Sequence, residues 1–169
     1  GERAGDSLAA PSRSGVLRFI RAHSSRSTAR QAKLPPMNPL PSSVIDSEGE
    51  ATVVVTPELT VGHFHPSMPA VYGTPFMIFL MEIAASQAIQ ASLPSGWVSV
   101  GVDVNIRHLA ATPVGETVTA RATVTSVTDK LVAFDVQAHD GTNLIGRGTH
   151  TRAPIELARF ERALAARGS

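Results

Sequence analysis

Thr74-Pro75-Phe76-Met77-Ile78-Phe79-Leu80-Met81-Glu82-Ile83-Ala84-Ala85 is the stretch on which the fold turns. Thr followed by Pro is a helix-start signal, because Pro suits the first helical position and Thr caps the turn. The helix is expected to run to about Leu93, where Pro94 and Gly96 stop it. It is apolar on nearly every side, so something must cover it nearly all round. Glu82 is the sole charged residue between Thr74 and Leu93. Burying a carboxylate there costs on the order of several kcal/mol unless it is paired or protonated. Glu82 therefore either lies on a wet helix face or is kept for chemistry.

Strand signals lie on both sides. Ala51-Thr52-Val53-Val54-Val55-Thr56 is β-branched and reads as a strand. Pro57 to Tyr72 is rich in Pro and Gly and reads as a long loop. Four β-rich segments follow the helix: Trp97 to Arg107, Glu116 to Val127, Leu131 to His139, and Asn143 to Arg152. Pro113-Val114-Gly115, Asp129-Lys130 and Asp140-Gly141 separate them as short turns. Pro154 is expected to begin a short C-terminal helix carrying Ile155, Leu157, Ala158, Phe160 and Leu164. The order predicts an α+β fold in which a curved antiparallel sheet wraps a long central helix. Dimerisation would bury more of what remains exposed.

The 169 residues suit one domain, and no run is long enough to span a membrane. The absence of cysteine excludes a disulfide framework, a thiolate metal site and a cysteine nucleophile. Residues 1–36 carry seven Arg or Lys against two acids, and the remainder carries eight against twelve. The acidic body offers no basic groove, which argues against nucleic acid as a partner. Residues 1–47 read as a basic Arg/Ser/Ala-rich leader followed by a Pro-rich linker, and 48–167 as the folded domain. The leader resembles an organellar transit peptide, or is an extension upstream of a start at Met37. The expected location is the cytoplasm, or an organellar matrix if the leader is genuine.

Three segments carry a family resemblance that covers roughly residues 50–160. They are Val71 through Glu82, Gly101 through Gly115, and Ala138-His139-Asp140-Gly141 with Ile145 through His150. Together they resemble the hot-dog thioesterases of the fluoroacetyl-CoA thioesterase family. In that family a Thr, a Glu eight residues on and a His twenty-six residues after the Glu form the catalytic set, with a Gly seven residues before the His. Thr74, Glu82, His108 and Gly101 meet every spacing. The resemblance implies a hot-dog fold, a site at a dimer interface, and an acyl-CoA substrate whose CoA is part of the substrate and not a cofactor. It also implies a homodimer or a dimer of dimers. The family's type member has extra residues with two phenylalanines before this segment. Here the shorter loop leaves Phe64 and Met68 as its large apolar residues, and with Tyr72 they are expected to line the substrate site.

Thioester cleavage needs a nucleophile or activated water, a proton shuttle, and donors for the developing oxyanion. Glu82 suits the nucleophile or the base. His108, at a strand end, suits orienting Glu82 or protonating the leaving thiolate. Thr74 suits a hydrogen bond to that pair, although a Thr before Pro is also an ordinary cap. Gly101 would let substrate approach the backbone. A regular helix separates Thr74 and Glu82 by about 12 Å, so either the first turn is irregular or, as is expected here, the site is shared between two subunits. His63-Phe64-His65 suggests metal binding weakly, with no third ligand to complete it. His139 and His150 read as structural. Arg107, Arg147 and Arg152 are candidates for the CoA phosphates, with surface charge as the plain reading. Two rival functions remain: a hydratase or dehydratase using Asp103 and His108, and a non-enzymatic acyl-CoA binding module.

Overall fold

The computed structural model describes residues 38–167; the leader reading for 1–36 lies outside them. Five strands form one antiparallel sheet: β1 (Glu48–Val54), β2 (Trp97–His108), β3 (Thr117–Val127), β4 (Val132–Asp140) and β5 (Asn143–Glu156). Their order across the sheet is β1-β3-β4-β5-β2, which leaves β1 and β2 at the edges. The helices are α1 (Val61–Phe64), α2 (Thr74–Gln90) and α3 (Leu157–Ala165). The sheet lies against α2, and this is the hot-dog arrangement.

The core follows from two periodicities. In α2, Met77, Leu80, Met81, Ala84, Ala85 and Ile89 are buried, the three-and-four spacing of one helix face. In the sheet, Val118, Ala120, Ala122 and Val124 of β3 alternate inward, as do Val132, Phe134, Val136 and Ala138 of β4. Gly49 lets α2 settle onto β1, since a Cβ there would stand 2.1 Å from the Ala84 carbonyl oxygen. Leu40 and Val44, in the segment read from sequence as linker, are buried in the same core. No helix among the described residues is long and apolar enough to cross a membrane.

Two elements differ from expectation. The loop 57–72 contains α1, whose first turn is capped by the Thr60 side chain accepting from the His63 N–H at 3.3 Å. The C-terminal helix begins at Leu157, not Pro154. Pairing of β5 with β4 ends at Arg152, so Pro154 is paired only with Ser99 of β2, and its missing N–H costs no bond to β4.

Candidate functional site

The N-terminal end of α2 meets the end of β2. The helix is capped by Gly73 backbone geometry, and Thr74 is its first residue. Its hydroxyl is therefore free of the capping role expected of it. Instead Thr74 Oγ1 lies 2.8 Å from His108 Nδ1. His108 is the last residue of β2, and the chain beyond it is fastened by Leu109 N–H donating to the Ile145 carbonyl at 2.7 Å. Farther along, Thr112 donates to Asp140 Oδ2 at 2.7 Å, and its carbonyl accepts from Tyr72 N–H at 2.8 Å. These bonds fix the strand end against the helix start. The other imidazole nitrogen, His108 Nε2, is buried and has no partner among the described residues.

Val61, Val71, Tyr72, Thr74 and His108 line a cleft of about 320 Å³ here. Tyr72 is buried, and desolvation pushes its phenol up to about 12, so it stays neutral across the physiological range. A second cleft of about 380 Å³ shares Val61 and is walled by Phe64, His65, Pro75 and Phe76. Phe64 is 61% exposed and stacks on Phe76 with ring centroids 6.0 Å apart. Met68 is half-exposed and stands outside both walls. No cluster of three or more His, Cys, Asp or Glu suited to a metal occurs among the described residues.

Glu82 lies two turns along α2. Its carboxylate is neither stranded nor freely solvated. Arg152 Nη1 donates to Glu82 Oε2 at 3.3 Å, with the Arg side chain 8% and the Glu side chain 34% exposed. The same nitrogen donates to the Glu82 backbone carbonyl at 3.2 Å. Arg152 is itself held by Ser99, through Nε to Oγ at 2.9 Å and Nη2 to the carbonyl at 2.8 Å. Burial pulls the guanidinium below its ordinary range, and the Glu82 charge works against that shift. Gly101 faces the carboxylate directly: a Cβ there would stand 2.7 Å from Glu82 Oε2.

His150 completes this network. Its Nδ1 is 2.8 Å from the Asp103 carbonyl, and its Nε2 is 3.3 Å from Arg152 Nη1. A carbonyl only accepts and a guanidinium only donates, so the ring carries its proton on Nδ1 and is neutral. Burial lowers its basicity, partly offset by the Asp103 carbonyl and the Glu82 charge.

The structure thus joins Thr74 to His108, and Glu82 to Gly101, as two separate pairs. One unbroken helix separates them by about 12 Å of rise. Arg152, read from sequence as a surface or phosphate-binding residue, is buried and committed to Glu82. His150, read as structural, and Ser99, not singled out, complete that network. Arg107 and Arg147 lie on the opposite face of the sheet. Asp103 pairs with Thr151 and His108 with Gly146, so these two β2 side chains project to opposite faces. The Asp–His pair a hydratase would need is not assembled.

Residues 55–158 match the family model described as fluoroacetyl-CoA-specific thioesterase. A fluoroacetyl-CoA thioesterase from Streptantibioticus cattleyicolor is 42% identical over 113 residues, 63% of this chain and 81% of that protein. A solved structure of a fluoroacetyl-CoA thioesterase superposes with a TM-score of 0.67 at 38% identity, covering 72% of this chain and 95% of that one. A mutant of such a thioesterase in complex with fluoroacetate and CoA is 39% identical, with a TM-score of 0.63 over 69% of this chain and 98% of that one. A thioesterase superfamily member from Thermus thermophilus is 32% identical, with a TM-score of 0.67 over 78% of this chain and 97% of that one.

Proposed function

From the premise that the chain belongs to the fluoroacetyl-CoA-specific thioesterase family and is a thioester hydrolase, we propose that it cleaves a short or medium acyl-CoA at a site shared between two subunits. Thr74 and His108 of one chain face Glu82 of the partner subunit. The observation that carries the reading is the 2.8 Å contact of Thr74 Oγ1 with His108 Nδ1, which leaves a buried, unpaired Nε2 at the cleft.

Two features support the dimer. The helix α2 is apolar on both faces, and Phe79 is 65% exposed on the side away from the core. The edge strand β2 is twelve residues long and has no neighbour on its outer side among the described residues, and a long bare edge is a template for pairing with another chain. Pairing the two β2 edges would bring the α2 helices of both chains together beneath one sheet.

At such a site His108 Nε2 serves the thioester, orienting water or delivering a proton to the departing thiolate. Thr74 holds the ring. Arg152 holds the Glu82 side chain in place, oriented for the part of base or nucleophile. The cleft beside Phe64 and Phe76 accepts the acyl group. Release of free thiol from a panel of acyl-CoAs of increasing chain length tests the reading, with Glu82→Ala as control. Thiol release abolished in the control supports it. Enoyl hydration without thiol release, or binding without turnover, would sink it.

A further inference from the structure

The outer face of the sheet carries a second feature that the hydrolytic site does not use. Arg107 of β2 is directly opposite Arg147 of β5, and Gln137 of β4 is opposite Arg147 on its other side. In the adjoining row Asn105, Thr149 and Asp135 stand side by side. Alternation along each strand puts all six on the face away from α2, because Val136 between Asp135 and Gln137 is buried in the core. They wall a groove of about 440 Å³, with Val136 and Gly148 completing it.

Like charges directly opposite each other in a sheet repel. Arg121 in the same row is neutralised by Glu50 at 2.8 Å. Arg107 and Arg147 enter no ion pair among the described residues. Asp135 is the one acid in the groove wall and pairs with neither. The groove is therefore net positive, with two guanidinium forks and the Asn105, Gln137 and Thr149 side chains converging. Two guanidinium forks suit the oxygens of a phosphate ester, which they bind in bidentate fashion. The groove also lies at the end of β2 that bears His108, whose side chain projects to the opposite face from that of Arg107.

We propose that the Arg107–Arg147 groove is a phosphate-binding site that holds the phosphorylated nucleotide end of the acyl-CoA substrate. This rests on the thioesterase reading for the identity of the ligand. Coenzyme A carries its thioester at one end of a long flexible arm and its phosphates at the other. With the acyl group at His108, the arm would pass around the strand end at Leu109 to the outer face.

Calorimetric titration of the full chain with adenosine 3′,5′-bisphosphate tests binding without any thioester. Arg107→Ala and Arg147→Ala should each weaken binding by about tenfold. Arg121→Ala, which removes an arginine already paired, should bind as the native chain does. In parallel, the ratio of kcat/KM for an acyl-CoA to that for the matching acyl-pantetheine should fall about tenfold in either groove variant. Equal bisphosphate affinity in the native chain and the Arg107→Ala/Arg147→Ala variant would overturn the proposal. So would loss of activity toward both substrates in equal measure. Inorganic phosphate competing as well as the bisphosphate, with the substrate ratio unmoved, would overturn the assignment to CoA. Bisphosphate binding through the two arginines in a chain that hydrolyses no thioester would instead refute the hydrolase reading and leave the phosphate site standing.

Discussion

Mixing two inactive chains should restore activity, and the geometry sets how much. Thr74 and His108 are bonded within one chain. Glu82 is eight residues from Thr74 along an unbroken helix, about 12 Å of rise, and is pinned by Arg152. If each site takes Thr74 and His108 from one subunit and Glu82 from the other, His108→Ala and Glu82→Ala dimers are both dead. A mixed dimer has one site carrying both defects and one site intact. Random re-association makes about half of the dimers mixed, so total activity should return to about a quarter of the native level. Thr74→Ala mixed with Glu82→Ala should behave likewise. His108→Ala mixed with Thr74→Ala should recover nothing, because both residues belong to the same half. The assay is thiol release after the variants are unfolded together and refolded, with each refolded separately as the baseline. No recovery in the Glu82 mixtures, at full refolding yield, refutes the shared site. Recovery in the His108–Thr74 mixture would refute the pairing of those two residues as a unit.

Three further outcomes follow from the Glu82 network. Arg152→Met removes the partner of Glu82 and the bonds to Ser99 and His150. Because Glu82 keeps some access to water, the cost should fall near the low end for a broken buried pair, about 2–4 kcal/mol, read as a lower thermal midpoint, together with loss of turnover. Gly101→Ala places a methyl within 2.7 Å of Glu82 Oε2, the oxygen that Arg152 holds, so the carboxylate must shift off its partner; activity should drop about 10–100-fold and the thermal midpoint should fall, by less than in Arg152→Met. His150 is held neutral in the fold, so below about pH 6.5 the unfolded chain binds a proton that the folded chain does not. Stability should then fall on acidification by up to about 1.4 kcal/mol per pH unit, and denaturant titrations of His150→Asn should show a shallower slope.

The elements that position the site were legible where one physical pattern dominated. In β4, Val132, Phe134, Val136 and Ala138 alternate with smaller or polar residues, and the inward face is unambiguous. The apolar run of α2 with its Thr-Pro start leaves no competing reading. The partner of Glu82 was not legible, and β5 shows why. Its inward set includes Gly146, Gly148, His150 and Arg152, while Arg147, Thr149 and Thr151 point outward. Both sets are polar or small, so alternation alone does not say which face is inside. Thr74 was read both as the helix cap and as a hydrogen-bonding partner of the Glu82–His108 pair; the cap falls to Gly73, and the hydroxyl meets His108. Phe64 was legible as a cleft residue through its apolar character in a polar loop, but α1 carrying it was not, because four residues containing Gly62 give no helical period.

The spacing of Gly101 and His108 has a physical explanation in β2. The two are seven residues apart, and in a regular strand an odd separation sends side chains to opposite faces. Both nonetheless belong to the helix side, Gly101 against Glu82 and His108 against Thr74. A register shift between Gly101 and Asp103 reconciles them: Gly101 pairs with Arg152 and Asp103 with Thr151, leaving Val102 as the extra residue of a bulge. Before the bulge Ser99 and Gly101 face inward, and after it Val104, Ile106 and His108 do. Gly101 and Arg152 are also cross-strand partners, so one pair of positions supplies both the charge that holds Glu82 and the space its carboxylate fills. Deleting Val102 would remove the bulge, and β2 could keep only one half in register. Either Gly101 leaves Glu82 or His108 turns to the outer face. Thiol release should vanish in that deletion while the β-sheet circular dichroism persists. Retained turnover would show that the bulge does not set the face of His108.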